Sequence, residues 1–83
     1  MEELELVIYQ SFVLDKMAKP NNHVLDVGYG WGMTSNYLYE KGCKSLTIIE
    51  ERSDIAERAN EWAPDKPNVT VYQGDWKEVI PEL

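Results

Sequence analysis

An α/β domain built on a short parallel sheet is what this sequence predicts, and three observations carry that expectation. Apolar, β-branched stretches alternate with amphipathic stretches of helical spacing. A loop with alternating glycines, Gly28, Gly30 and Gly32, joins one such stretch to the next. The breakers Pro20, Gly42 and Pro64 stand at boundaries rather than inside elements. The resulting order is helix, strand, helix, strand, helix, strand, which specifies right-handed crossovers and a three-stranded parallel sheet with flanking helices.

Residues 2–19 carry Leu6, Val7, Val13, Leu14 and Met17 on one helical face until Pro20-Asn21-Asn22 breaks the pattern. His23 to Val27 then reads as a short apolar strand interrupted by Asp26, and Leu46 to Ile49 as a second, rich in β-branched side chains. Between them a helix begins near Met33 and stops at Gly42, because glycine tolerates the left-handed backbone that ends many helices. A third helix starts from Ser53, whose hydroxyl suits an N-cap. It places Ile55, Ala56, Ala59, Trp62 and Ala63 on one side, spaces Asp54 and Arg58 as a supportive pair, and ends at Pro64. Asn68 to Tyr72 reads as the third strand. Gly74-Asp75-Trp76 turns into a short amphipathic tail containing Val79, Ile80 and Leu83. Repeats and low-complexity stretches are absent from the sequence.

Composition narrows the function classes. The 83 residues form one domain, 1–83, and their 43% hydrophobic content, three Trp and five Tyr indicate a folded chain. At this size core burial leaves little spare stability, so a ligand or partner matters. The opening Met1-Glu2-Glu3-Leu4-Glu5 lacks the basic start and apolar run of a signal peptide, and no stretch reaches membrane-spanning length. A cytoplasmic location, with no membrane partner, is the expectation. Cys43 is the only cysteine, which excludes an intrachain disulfide and a cysteine-rich metal site and leaves it as a helix-end filler. His23, the only histidine, stands directly before a strand and receives no catalytic role. A formal charge of −7 repels phosphate backbones, which argues against nucleic acid and for small or cationic substrates.

The chemistry concentrates in the run Val24-Leu25-Asp26-Val27-Gly28-Tyr29-Gly30-Trp31-Gly32-Met33-Thr34. A strand-to-helix loop without Cβ atoms brings its backbone close to a ligand, and the following helix offers unpaired N–H groups to an anion. A dinucleotide-binding turn reads G-x-G-x-x-G; this one reads D-x-G-x-G-x-G, with Met33 where that pattern wants glycine or alanine. An NAD-dependent enzyme is therefore disfavoured. Asp26, Glu50 and Asp75 each end or follow a strand, so a parallel sheet would bring all of them to one rim. Glu50 lies 22 residues after Gly28, close to the offset at which a carboxylate accepts from ribose hydroxyls.

The Asp26-to-Gly32 run resembles motif I of the class I S-adenosylmethionine (SAM) dependent methyltransferases. That resemblance implies a Rossmann-like three-layer α/β/α half-fold of about three parallel strands, truncated relative to the seven-stranded methyltransferase fold. It implies that Asp26 and Gly28, Gly30 and Gly32 hold the methionine portion of SAM, that Glu50 holds the ribose, and that Asp75 and Trp76 border adenine. S-adenosylhomocysteine (SAH) would be the product. The bland alternatives are a turn or N-cap aspartate for Asp75 and a core aromatic for Trp76. Ile48-Ile49-Glu50, Glu61-Trp62-Ala63-Pro64 and Gly74-Asp75-Trp76-Lys77-Glu78-Val79 are in turn similar to the guanidinoacetate N-methyltransferase-like group, which implies a small-molecule acceptor.

The strands that supply substrate contacts and catalytic groups in the full fold lie beyond the third, so the sequence nominates no catalytic residue. The runner-up reading is a non-catalytic SAM- or SAH-binding or structural module that works with a partner chain. In the parent fold the first strand lies mid-sheet. Here it is expected to be an edge, paired through a homo-oligomer or a complementing chain, or covered by the N-terminal helix or the tail.

Overall fold

The computed structural model describes residue 16 and residues 18–83. The amphipathic helix expected over 2–19 lies outside the described residues except for Lys16, which is helical, and Ala18, which is buried. The elements that follow are β1 (His23–Val27), α1 (Met33–Glu40), β2 (Ser45–Glu50), α2 (Ser53–Trp62), β3 (Val69–Gln73), α3 (Trp76–Val79) and a single 3-10 turn (Ile80–Glu82). The strands form one parallel sheet in the order β1-β2-β3. This is the expected architecture, a Rossmann-like α/β fragment.

Successive strand side chains point to opposite faces, and the register decides which residues meet. Val24 lies opposite Leu46 and Leu46 opposite Val69, while Asp26 lies opposite Ile48 and Ile48 opposite Val71. These alternate positions build the core face, where Val24, Leu46 and Ile48 pack with Tyr29, Leu38, Cys43 and Ala59. Ile55, Trp62, Val69 and Val71 close its margin. The other face is covered unevenly. Ile49 is buried, but Leu25, Val27 and Tyr72 remain 39%, 48% and 39% exposed. A parallel sheet normally carries helices on both faces. Among the described residues α1 and α2 contribute to the core of one face, and the short α3 contacts β2.

Two local expectations are corrected. Ser53 is the first helical residue rather than the cap; Arg52, in an extended conformation, is the N-cap of α2. The reason is that the Arg52 N–H donates to Glu50 Oε2 at 3.0 Å, which pins Arg52 outside the helix. The Asp54–Arg58 pair does not form. Asp54 instead accepts from the Arg52 guanidinium at 3.0 Å, and the Arg58 guanidinium stands 4.7 Å from the Trp31 ring centroid. A neighbour two positions away and an exposed indole outcompete the i, i+4 partner, whose worth on a solvated helix is only about 0.2–0.5 kcal/mol.

The helix stops behave as expected. Gly42 has φ +87° just past α1, and α2 ends at Trp62 two residues before Pro64. Cys43 follows Gly42 into the core, where burial pushes its thiol pKa up. His23 Nδ1 pairs with Ser45 Oγ at 2.5 Å, a link between the starts of β1 and β2. No helix among the described residues is long and apolar enough to cross a membrane.

Candidate cofactor site

The loop between β1 and α1 gives each glycine a different task. Gly28, Gly30 and Gly32 have φ values of +87°, +57° and +85°, a region that costs an L side chain about 1–2 kcal/mol. Gly32 is also sterically required, since a Cβ there would stand 2.5 Å from the Tyr29 phenol oxygen. At Gly28 and Gly30 an added Cβ would meet nothing within 4 Å. Those two positions thus border open space, and their backbone is free to approach a ligand. Gly28 N–H donates to Ile49 O at 2.8 Å, which carries the β1–β2 pairing into the loop. Gly32 is the N-cap of α1 and no side chain caps that helix, so its first-turn amides face outward as potential anion donors.

Glu50 is the organising residue. It ends β2, is only 7% exposed, and accepts from the Tyr29 N–H through Oε1 at 2.8 Å and from the Arg52 N–H through Oε2 at 3.0 Å. One carboxylate therefore ties the loop after β1 to the turn after β2. Each oxygen retains a second lone pair, enough to accept from a pair of vicinal hydroxyls.

Asp26 lies on the core face near the end of β1 and accepts from the Ser35 hydroxyl in the first turn of α1. Burial pushes its pKa above the ordinary 3.8; the Ser35 bond works in the opposite direction, and the neighbouring Glu50 carboxylate adds to the rise. Ser35 is fully buried and was not singled out from the sequence. Its signal was available: a hydroxyl in the first turn of the helix that the Asp26 strand feeds.

A cavity of about 120 Å³ lies at this rim, lined by Val27, Gly28, Ile49, Glu50, Glu51, Gly74 and Trp76. Trp76 is 47% exposed, so it is a wall and not a core aromatic. Asp75 is the N-cap of α3, its Oδ1 accepting from the Lys77 N–H at 3.0 Å, and it does not line the cavity. Gly28, Glu50 and Trp76 thus come together from the ends of all three strands, with Asp26 beside Glu50. Gly32 instead borders a separate groove with Tyr29, Trp31, Met33, Asn36 and Trp62, behind the loop. No cluster of metal-ligating side chains occurs among the described residues.

The fit to a nucleoside carrying an amino acid tail can be judged from these contacts. A buried carboxylate with spare lone pairs suits a diol, an exposed indole suits a planar base, and side-chain-free space over Gly28 and Gly30 suits a chain crossing the loop.

The family model for ribosomal RNA adenine dimethylase matches residues 5–79. The chain belongs to this family. It is thereby a class I SAM-dependent methyltransferase-type chain, with SAM the cofactor of the family. Among curated proteins, protein arginine N-methyltransferase 2 of Emericella nidulans is 29% identical over 84 residues, covering 94% of this chain and 20% of the relative. The protein of the same name from Yarrowia lipolytica is 39% identical over 62 residues, covering 72% of this chain and 13% of the relative. Among solved structures, the PRMT6–SAH crystal structure superposes with a TM-score of 0.74 at 22% identity, over 99% of this chain and 25% of that one, which supports the fold. The chain spans about a fifth or less of these curated relatives. These matches establish the class I methyltransferase family and not the guanidinoacetate-like subgroup.

Proposed function

We propose that this chain is the SAM-binding segment of a methyltransferase whose acceptor is a guanidino nitrogen of a protein arginine. The observation that carries the cofactor half is Glu50: a buried carboxylate at the cavity wall, held by two loop amides, with lone pairs left for the ribose diol. Trp76 forms the adenine wall, and the free Asp75 Oδ2 accepts from the adenine amino group. Asp26 and the backbone of Gly28, Gly30 and Gly32 hold the methionine portion, whose carboxylate lies toward the uncapped start of α1.

The acceptor half is supported by the names of the curated relatives and by charge. A chain of net charge −7 repels the phosphate backbone that an RNA adenine would arrive on, whereas a guanidinium is attracted. The small guanidino acceptor expected from the sequence shares that reactive group with arginine; it differs in what the group is attached to. None of the described residues is assigned as the general base.

Calorimetry with SAM, SAH and NAD tests the cofactor, and binding of the first two without the third is expected. Ligand at 100 times its dissociation constant stabilises the fold by about 2.7 kcal/mol, a visible shift in a thermal melt. Methyl-labelled SAM then tests the acceptor. Label on an arginine-rich peptide is expected; label on RNA or on a small guanidino acid overturns the acceptor assignment.

A second reading, a cofactor-binding module completed by a partner chain, draws on the exposed Leu25 and Val27 beside the β1 edge. It predicts tight SAH binding with no transfer to any acceptor until that partner is added.

A further inference from the structure

Tyr29 is the joint between the glycine loop and Glu50, and the residues that hold its ring lie outside the cavity beside Glu50. Its backbone N–H donates to Glu50 Oε1, so the position of residue 29 sets one of the two bonds that aim the carboxylate. Its ring is buried and fills the space beneath Gly32, where an added Cβ would stand 2.7 Å from the ring carbon Cζ. The loop therefore rests on this ring. The ring in turn rests on Trp62, with centroids 6.1 Å apart and planes inclined at 48°.

Trp62 is itself clamped. Tyr39 of α1 meets it edge to face at 5.8 Å, which ties the end of α2 to α1. Lys66, in the turn beyond α2, places its ammonium 4.5 Å from the Trp62 ring centroid and 5.3 Å from that of Tyr39. The same ammonium donates to the Trp62 carbonyl at 2.8 Å and to Asp65 at 2.8 Å, and the Lys66 side chain is only 13% exposed. A largely desolvated cation against aromatic faces is worth more than an exposed one, so this contact is strong for its kind. Neither Trp62 nor Lys66 lines the cavity beside Glu50.

We propose that Trp62 and Lys66 are positioning residues for the cofactor: they act through the Tyr29 ring to hold the glycine loop and the Glu50 carboxylate in binding geometry. The contacts run in one unbroken series, from Lys66 to Trp62 to Tyr29 and from the Tyr29 amide to Glu50. Weakening its far end loosens the near end, and what is lost is alignment of a hydrogen bond to a charged group, the strongest kind of contact available at this site. The inference rests on the SAM reading for its affinity arm and on geometry alone for its structural arm.

The test measures three quantities on the chain and on its variants Trp62→Phe, Trp62→Ala and Lys66→Met: SAH affinity by calorimetry, hydrogen-exchange protection of the Tyr29 amide, and protection of the Ile48 amide in the sheet. Trp62→Ala and Lys66→Met are expected to lose Tyr29 amide protection and to weaken SAH binding about tenfold, the scale of one misaligned bond to a charged group. Ile48 protection is expected to stay at the parent level, and Trp62→Phe, which keeps an aromatic face, is expected to restore both losses. Unchanged affinity and Tyr29 protection in Lys66→Met overturn the proposal, and so does a parallel fall at Ile48 in every variant, which marks a purely structural role. Absence of SAH binding by the parent defeats the cofactor reading instead. The Tyr29 and Ile48 amides then still decide whether the clamp holds the loop.

Discussion

Asp26 carries a carboxyl whose ionisation the fold opposes. Burial and the Glu50 charge raise its pKa above 3.8, and the Ser35 hydroxyl only partly offsets them. With the folded value raised above the unfolded one, its contribution to stability is fully present below 3.8 and is lost as pH rises through the folded value. Asp26→Asn keeps an acceptor for Ser35 and removes the charge. The variant is expected to melt higher than the parent at neutral pH, with the difference vanishing in acid, and, on the proposed assignment of Asp26 to the methionine portion, to bind SAM more weakly. A variant that melts lower at neutral pH would show that the charge is compensated by contacts not accounted for in this geometry. Glu50 serves a different purpose, since its carboxylate accepts from two backbone donors. Glu50→Ala strands those donors, at about 1–3 kcal/mol for a buried group, and removes the proposed ribose acceptor, so SAH affinity should fall at least about tenfold. If Glu50→Ala binds as tightly as the parent while Gly30→Val does not, the ribose assignment is wrong and the loop assignment survives.

At the scale of elements, two glycines with nearly the same backbone separate strain from contact. Gly32 and Gly42 have φ of +85° and +87°, but only Gly32 faces an atom, the Tyr29 phenol oxygen, where a Cβ would be. Gly42→Ala is expected to lower stability by about 1–2 kcal/mol in urea unfolding, the left-handed cost alone. Gly32→Ala should exceed it and weaken SAH binding as the Tyr29 ring is displaced; equal losses would mean that the ring moves aside freely. The elements themselves were legible in the sequence. β1 falls at His23–Val27 as expected, and β2 and β3 differ from expectation only by end residues, because β-branched alternation and the flanking breakers act locally. Of the three acidic residues expected at one rim, Asp26 lies beside Glu50 as strand ends of a parallel sheet require, whereas Asp75 caps α3 and does not line the cavity. What the sequence did not disclose is set by competition among partners. Glu50 claims the Arg52 amide and so moves the cap of α2, Trp31 claims Arg58, and the Tyr29–Trp62–Lys66 series joins residues whose proximity no spacing rule encodes.

At the scale of the molecule, the described residues pack one face of the sheet and leave Leu25, Val27 and Tyr72 partly exposed on the other. Leu25 and Val27 stay about half exposed on β1, and within the described residues that strand pairs with β2 alone, so one of its backbone edges carries no ladder. Such an edge templates pairing, and apolar residues beside it add a hydrophobic incentive of about 25 cal/mol per Å² covered. The chain is therefore expected to associate through β1, with itself or with a complementing chain, unless the N-terminal or C-terminal segment of the same chain covers the strand. In a two-fold self-association the two β1 strands run antiparallel, giving one six-stranded sheet with the cofactor rims at opposite ends. Sedimentation over a range of concentrations is expected to show a dimer. Replacing Leu25 by Thr should shift it toward monomer while leaving SAH affinity close to the parent value, since Leu25 does not border the cavity. If a segment of the same chain covers the strand instead, the parent sediments as a monomer and the amides of Val24 to Val27 still exchange slowly. A monomer whose Val24 to Val27 amides exchange fast contradicts both forms of the expectation, because it leaves an unpaired apolar edge open to water.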